Sequence, residues 1–223
     1  MLSYLEALNI QGVTPEKLAG SFDQSELNQL DIGQCQLNPA GVRRLLESHG
    51  VDYSPRIMTY TSLKGGTGKT TSSVATAVRA VDYGFRPCIL DLDSQGSATL
   101  ALGVLPNEDD AVFVDVWQKS SEHIPQALRT HPTGVSILPS SLDNSLLDVQ
   151  LVNPNAQKNA VRDVCSAIFE NGFDLIVIDC PPSLGTAVIA IICDANTVVI
   201  PTNIKHFHLK AFELSLRDRK TIC

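Results

Sequence analysis

A glycine-rich run at residues 64–71 contains the residue types that bind phosphate groups. It reads Lys-Gly-Gly-Thr-Gly-Lys-Thr-Thr. Glycines let a backbone curl until its N–H groups point inward at an anion, and the dipole of a following helix strengthens that binding. Lys69 would place its charge on the β- and γ-phosphates of a nucleotide, and the Thr70 hydroxyl would ligate Mg²⁺. The run therefore predicts a site for ATP and Mg²⁺.

The run departs from the ordinary phosphate-binding pattern, G-x-x-x-x-G-K-[ST], at one position. Leu63 stands where that pattern begins with glycine, and Lys64 follows it. A strongly hydrated cation at this place indicates that an anion arrives from outside the loop. The candidate nucleotide-binding residues are the whole run, namely Lys64, Gly65, Gly66, Thr67, Gly68, Lys69, Thr70 and Thr71.

Three aspartates follow apolar runs that are typical of buried strands. Asp91 and Asp93 belong to the run Asp-Leu-Asp-Ser-Gln-Gly, and Asp179 ends the run Leu-Ile-Val-Ile-Asp. Ligands bind outside the carboxyl ends of strands in open α/β sheets, so we expect these carboxylates at the nucleotide site. Carboxylates there hold Mg²⁺ or orient a water. The candidate metal ligands are Thr70, Asp91 and Asp179, and Asp93 is a candidate catalytic residue.

Alternating elements from residue 56 onward would position these groups. Strands are predicted at 57–61, 88–91, 135–139, 175–179 and 197–201, with helices at 69–83 and 156–170 between them. Continuous apolar strands that alternate with helices are typical of a parallel sheet covered on both faces. The fold class is therefore α/β, a mostly parallel doubly wound sheet.

Five sequence blocks resemble the ParA/MinD family of deviant Walker A ATPases, and most closely its ParA branch, over about residues 56–215. They occur in family order and read KGGTGKTT, ILDLDSQGSAT, ILPSSLDNSLL, FDLIVIDCPPSLG and VIPTNIKHFHLKAFELS. The resemblance implies that Lys64 reaches the phosphates of a second subunit and acts in catalysis there. It also implies that Asp93 positions the attacking water, that Asp179 is the Walker B residue, and that the segment after Pro201, with Asn203, lies against the adenine.

The resemblance implies that the protein is an ATP-dependent molecular switch for DNA partition. Members of the family form a homodimer around ATP, bind DNA without sequence preference, and hydrolyse ATP when a ParB-like centromere-binding protein acts. The implied location is cytoplasmic and nucleoid-associated in the ATP state. Two alternatives stay open: an ATPase that positions another cargo, such as division, flagellar or chemoreceptor machinery, and a nucleotide-binding paralogue without turnover. A MinD-like amphipathic membrane helix is not evident, so no membrane partner is expected.

The sequence also departs from the family. Ser94 stands where members usually have proline, and the family fold normally continues beyond the helix that starts near His208. The expectation is therefore an ATPase domain at 56–223 that lacks the C-terminal part of the fold, including a DNA-binding region.

Residues 1–55 are predicted to form a separate helical segment. Helices are expected at 15–19 and 24–30, and a third begins with Asn38 as its cap and Pro39 in its first turn. The run 37–46 weakly resembles the second helix of a helix-turn-helix unit, in which Arg43 and Arg44 would contact phosphates. The segment holds three basic and seven acidic side chains, which counts against DNA binding. A packing or dimerisation extension is the alternative.

Composition limits the other classes of protein. The chain has 223 residues and a net charge of −7, which disfavours a protein that coats DNA constitutively. No apolar stretch approaches the ~20 residues that span a bilayer, and no secretory signal is evident. The six cysteines and five histidines lack metal-site spacing, and the cysteines are expected to be free.

Overall fold

Six strands hydrogen-bond into one sheet in a computed structural model that describes residues 1–22, 36–107, 110–117, 120–146 and 154–202. The strands are β1 (Arg56–Tyr60), β2 (Pro87–Asp91), β3 (Arg129–Thr130), β4 (Ser136–Leu138), β5 (Leu175–Asp179) and β6 (Thr197–Val199). Their order across the sheet is β3-β4-β2-β5-β1-β6. Every pairing is parallel except that of β3 with β4. The predicted fold class is confirmed.

Helices precede β1 and lie between most of the later strands. They are α1 (Tyr4–Leu8), α2 (Pro15–Gly20), α3 (Pro39–Ser48), α4 (Lys69–Asp82), α5 (Ser97–Ala101), α6 (Phe113–Val116), α7 (Ser120–Ala127), α8 (Pro154–Glu170) and α9 (Thr186–Asp194), with a 3₁₀ helix at Leu142–Leu146. The sequence analysis did not predict α9. Its residues are apolar almost throughout, so they show no helical periodicity of apolar and polar positions. The helix predicted at 24–30 lies outside the described residues. Within the described part of the chain, no helix is long and apolar enough to cross a membrane.

Alternate residues of the central strands pack into apolar clusters on opposite faces of the sheet. Leu90 and Ile178 belong to the cluster that includes side chains of α8 and α9, whereas Ile89 and Val177 share a cluster with Ala77 of α4. Successive side chains of a strand point to opposite faces, so a sheet covered on both sides needs apolar residues throughout. Every residue of β2 and β5 is accordingly buried.

The N-terminal helices form a third apolar cluster. Leu2, Leu18, Val42 and Leu45 are buried in it, and Tyr83 and Phe85 pack against it from beyond α4. The predicted cap of α3 is present, because the Gly41 N–H donates to Asn38 Oδ1 at 2.7 Å. The boundary near residue 55 stays a prediction.

Arg43 connects this cluster to the sheet. Its guanidinium donates to the Gly84 carbonyl at 3.1 Å, forms an ion pair with Asp174, and lies 4.1 Å above the Tyr53 ring. The neighbouring Arg44 donates to the Ser21 carbonyl at 3.0 Å. Both arginines therefore bond groups of the protein itself, and the packing extension stays a prediction.

We expect Asp174→Asn to lower the free energy of unfolding by about 2–3 kcal/mol. The Asp174 carboxylate is only 3% exposed, and it also accepts the backbone N–H of Arg86 at 2.7 Å. The substitution would leave the Arg43 charge without its buried partner. Urea unfolding followed by circular dichroism measures the difference.

The matched control is Asp52→Asn. Asp52 pairs with Arg56 at 3.2 Å, but the two side chains are 62% and 53% exposed, so about 0–1 kcal/mol is expected. Equal losses in the two variants would show that the Arg43–Asp174 contact adds no more than a surface ion pair.

Of the six cysteines, Cys88, Cys165 and Cys180 are free and buried, as expected. Cys193 differs from the expectation, because it is disulfide-bonded. Such a pairing depends on proximity in the folded chain, which sequence spacing does not reveal.

Candidate nucleotide-binding site

The glycine-rich loop lies between the end of β1 and the start of α4, in the context that the motif requires. Gly66 and Gly68 have φ values of 70° and 90°. Residues other than glycine rarely adopt this left-handed backbone conformation. The Lys64 carbonyl accepts the Thr67 hydroxyl at 3.4 Å, which closes the turn. A Cβ atom added at Gly65, Gly66 or Gly68 would meet no atom within 4 Å, so φ and not crowding is what favours glycine at Gly66 and Gly68.

The amino end of α4 is arranged to receive an anion. Gly68 is its N-cap and supplies no side-chain hydrogen bond, so the first N–H groups of this 14-residue helix lack a capping oxygen. The first residue, Lys69, is only 7% exposed although it carries a charge. Phosphate oxygens would satisfy both the N–H groups and the ammonium. This geometry fits the predicted phosphate site.

Asp179 ends β5 beside the loop and is fully buried. Neither of its carboxylate oxygens receives a hydrogen bond of good geometry from a described residue, and the nearby Thr70 and Ser73 hydroxyls offer at most weak ones. Burial raises the pKa of Asp179 to about 6, although the hydroxyls of Thr70 and Ser73 and the charge of Lys69 oppose the rise. Buried carboxylates without partners are costly, and a bound cation would remove that cost. The position of Asp179 fits a role in holding Mg²⁺.

Asp91 ends β2 and lies in register with Asp179 across the β2–β5 pair. Its Oδ2 accepts two hydrogen bonds from Thr99, from the backbone N–H at 2.9 Å and from the hydroxyl at 2.7 Å. Its Oδ1 is buried without a partner among the described residues. Burial raises the pKa of Asp91 to about 7 against the effect of Thr99. One carboxylate oxygen therefore remains for a cation or its water.

Asp93 lies in the loop that follows β2 and is partly exposed. Its Oδ1 accepts the Gln95 N–H at 3.0 Å. The charge of Asp93 also raises the pKa values of Asp91 and Asp179, which places the three carboxylates in one electrostatic environment. Lys64 is exposed.

Sequence reasoning missed three buried polar residues of this region. Thr99, Ser140 and Asn144 are 0%, 3% and 4% exposed, and they hydrogen-bond to one another or to the loop of Asp91 and Asp93. A signal was available for Ser140, because it directly follows the strand predicted at 135–139. The predicted adenine contact at Asn203, and His206 and His208, lie outside the described residues.

The chain belongs to the AAA domain family designated AAA_31, whose model matches residues 55–221. Its relatives identify it as a P-loop ATPase of the ParA/MinD type, which confirms the resemblance noted in the sequence.

Two relatives and one solved structure illustrate the similarity. The sporulation initiation inhibitor protein Soj of Bacillus subtilis (strain 168) is 29% identical over 167 residues, covering 75% of this chain and 66% of that protein. The chromosome partitioning protein ParA of Caulobacter vibrioides (strain NA1000 / CB15N) is 27% identical over 163 residues, covering 73% and 61%. A structure of cobyrinic acid a,c-diamide synthase from Mycobacterium smegmatis, with bound ATP analog and magnesium, matches with a TM-score of 0.67 and 26% identity over 75% of this chain and 66% of that one. The chain thus spans slightly less than two thirds of the length of these relatives.

Proposed function

We propose that this chain is an ATP-driven molecular switch that binds ATP and Mg²⁺ at residues 64–71 and hydrolyses ATP to ADP and phosphate. One observation carries the proposal: the uncapped end of α4 carries buried Lys69, whose charge acts on buried Asp179, a carboxylate without a hydrogen bond of good geometry among the described residues. Phosphates would match the first two groups, and a divalent cation would match the third. All of these groups lie at the edge of the sheet where ligands of α/β proteins bind.

The residues would act mainly by position and charge, as phosphoryl transfer requires. Lys69 and the first N–H groups of α4 would hold the β- and γ-phosphates. Thr70, Asp91 and Asp179 would hold Mg²⁺, directly or through water, and the ion would offset the phosphate charge when bound. Asp93 would orient a water for in-line attack on the γ-phosphorus. Lys64 would approach the nucleotide of a second subunit.

The proposed role of the switch is DNA partition. The ATP-bound homodimer would bind DNA without sequence preference on the nucleoid, and a ParB-like partner would stimulate hydrolysis and release. Support comes from the partitioning protein among the relatives. The net charge of −7 opposes constitutive DNA binding, so binding that depends on the dimeric state is the consistent form.

The same switch could move another cargo, or the chain could bind nucleotide without turnover. An ATPase assay with and without DNA separates these cases. Hydrolysis stimulated by DNA supports partition, hydrolysis indifferent to DNA supports another cargo, and nucleotide binding without any hydrolysis supports a chain without turnover.

We expect Lys64→Ala to remove ATP-dependent dimerisation while ATP still binds to the monomer. Lys64 is exposed, whereas Lys69 is 7% exposed at the helix end proposed to hold the chain's own phosphates. ATP binding by the monomer is therefore expected to depend on Lys69, and the contact across subunits on Lys64. Sedimentation velocity with ATP and Mg²⁺, in an Asp93→Ala background that blocks hydrolysis, measures the dimer.

Lys17→Ala is the control, because Lys17 is another exposed lysine and lies in the N-terminal helix α2. It should dimerise like the Asp93→Ala parent. An ATP-dependent dimer of undiminished stability in Lys64→Ala would rule out the role across subunits.

A further inference from the structure

The loop after β4 is bonded to the loop that carries Asp93. The Ser140 hydroxyl donates to the Asp93 carbonyl at 2.6 Å, and the Ser140 N–H donates to the Thr99 hydroxyl oxygen at 3.0 Å. Ser140 is only 3% exposed, so water competes little for these bonds. Two loops at the carboxyl edge of the sheet are therefore joined at one serine.

The hydrogen-bond donors of this cluster have defined directions. Asn144 Nδ2 donates to Ser140 Oγ at 2.8 Å, and the Ser140 hydroxyl donates to the Asp93 carbonyl at 2.6 Å, much nearer than the Ser141 carbonyl at 3.5 Å. Thr99 Oγ1 accepts from Ser140 and therefore directs its proton at Asp91 Oδ2, 2.7 Å away. Asn144 Nδ2 also lies 3.3 Å from the Asp91 carbonyl. Connected bonds of this kind polarise one another and restrict the groups they join.

Asp93 depends on this restraint more than Asp91 does. Asp91 belongs to a central strand, whereas Asp93 lies two residues beyond the strand in a loop, where its carboxylate is held by the N–H of Gln95. A displacement of about 1 Å at a reacting group costs about 100-fold in rate. The bond from Ser140 to the Asp93 carbonyl limits such a displacement.

We propose that Ser140 is a positioning residue for hydrolysis, which fixes the Asp93 backbone and thereby the carboxylate that orients water. The inference rests on the proposed ATPase function. Ser140 acts through Asp93 and has no role in holding phosphate, so its loss affects turnover and leaves nucleotide affinity in place.

The test compares Ser140→Ala with Ser136→Ala. Ser136 is also a buried serine, 4% exposed, but its hydroxyl bonds to Thr130 near the opposite end of β4. Ser140→Ala is expected to lower kcat by about 10- to 100-fold, with the Kd for a fluorescent ATP analogue changed less than about threefold. Ser136→Ala is expected to keep the wild-type kcat. Equal kcat values for Ser140→Ala and wild type would overturn the proposal.

Coupling to Asp93 distinguishes positioning from general loosening of the fold. Added to Asp93→Ala, the Ser140→Ala change should lower hydrolysis no further, because residues that act as a unit are not additive. A further drop of similar size would overturn the proposal.

If Ser140→Ala does not fold, Asn144→Ala replaces it, since it removes a donor to Ser140 Oγ and should reduce kcat in the same direction. Wild-type protein that binds but never hydrolyses ATP would overturn the ATPase function and this inference together, whereas active wild type with unaffected variants overturns only the inference.

Discussion

Replacing Lys69 with alanine should reduce ATP affinity by about 100-fold or more, because truncating one member of a buried charge pair costs several kcal/mol. Lys69 is 7% exposed at the first position of α4, where the helix dipole and the ammonium act on the same phosphates. Neither the remaining N–H groups nor a surface lysine can replace a desolvated charge at that place. Titration of a fluorescent ATP analogue measures the loss.

Two comparisons make the Lys69 result specific. Lys64→Ala changes the other lysine of the loop and should retain monomer affinity within a fewfold. Circular dichroism must show a folded Lys69→Ala variant, because the substitution also removes a positive charge that favours the ionised form of buried Asp179. Near-normal affinity in folded Lys69→Ala would show that phosphates do not bind in this loop.

Asp93→Ala should hydrolyse ATP at least about 100-fold more slowly than wild type while binding it with similar affinity. Orientation of the attacking water matters in the transition state, so ground-state binding is largely independent of it. Single-turnover hydrolysis of radiolabelled ATP and equilibrium titration together separate the two quantities.

Asp52→Ala is a close control for Asp93→Ala. The carboxylate of Asp52 accepts the N–H two residues ahead, from Ser54 at 2.8 Å, just as Asp93 accepts that of Gln95 at 3.0 Å. The two substitutions therefore remove the same kind of local hydrogen bond. Asp52 precedes the amino end of β1, whereas the phosphate loop follows the carboxyl end of that strand. Full hydrolysis by Asp93→Ala would assign water orientation to another residue, and loss of ATP binding would make Asp93 structural or a metal ligand.

The sequence alone was sufficient to predict the fold class and the positions of the loop and the three aspartates. The reason is that each rests on local information. A left-handed conformation at Gly66 and Gly68 requires glycine, and the strand that ends in Asp179 is apolar along its whole length. Parallel strands then bring their carboxyl ends to one edge, so the aspartates and the loop must meet there. Sequence patterns were enough to place these groups without knowing a single long-range contact.

Only the tertiary structure revealed what restrains those groups. Ser140 bonds to Thr99 and to Asp93 across 41 and 47 positions, and Arg43 pairs with Asp174 across 131. In the sequence these are ordinary polar residues of loops and helices, and nothing in their spacing selects one partner from many. The partners are selected when burial removes water and each remaining donor must find an acceptor, which happens only in the packed chain.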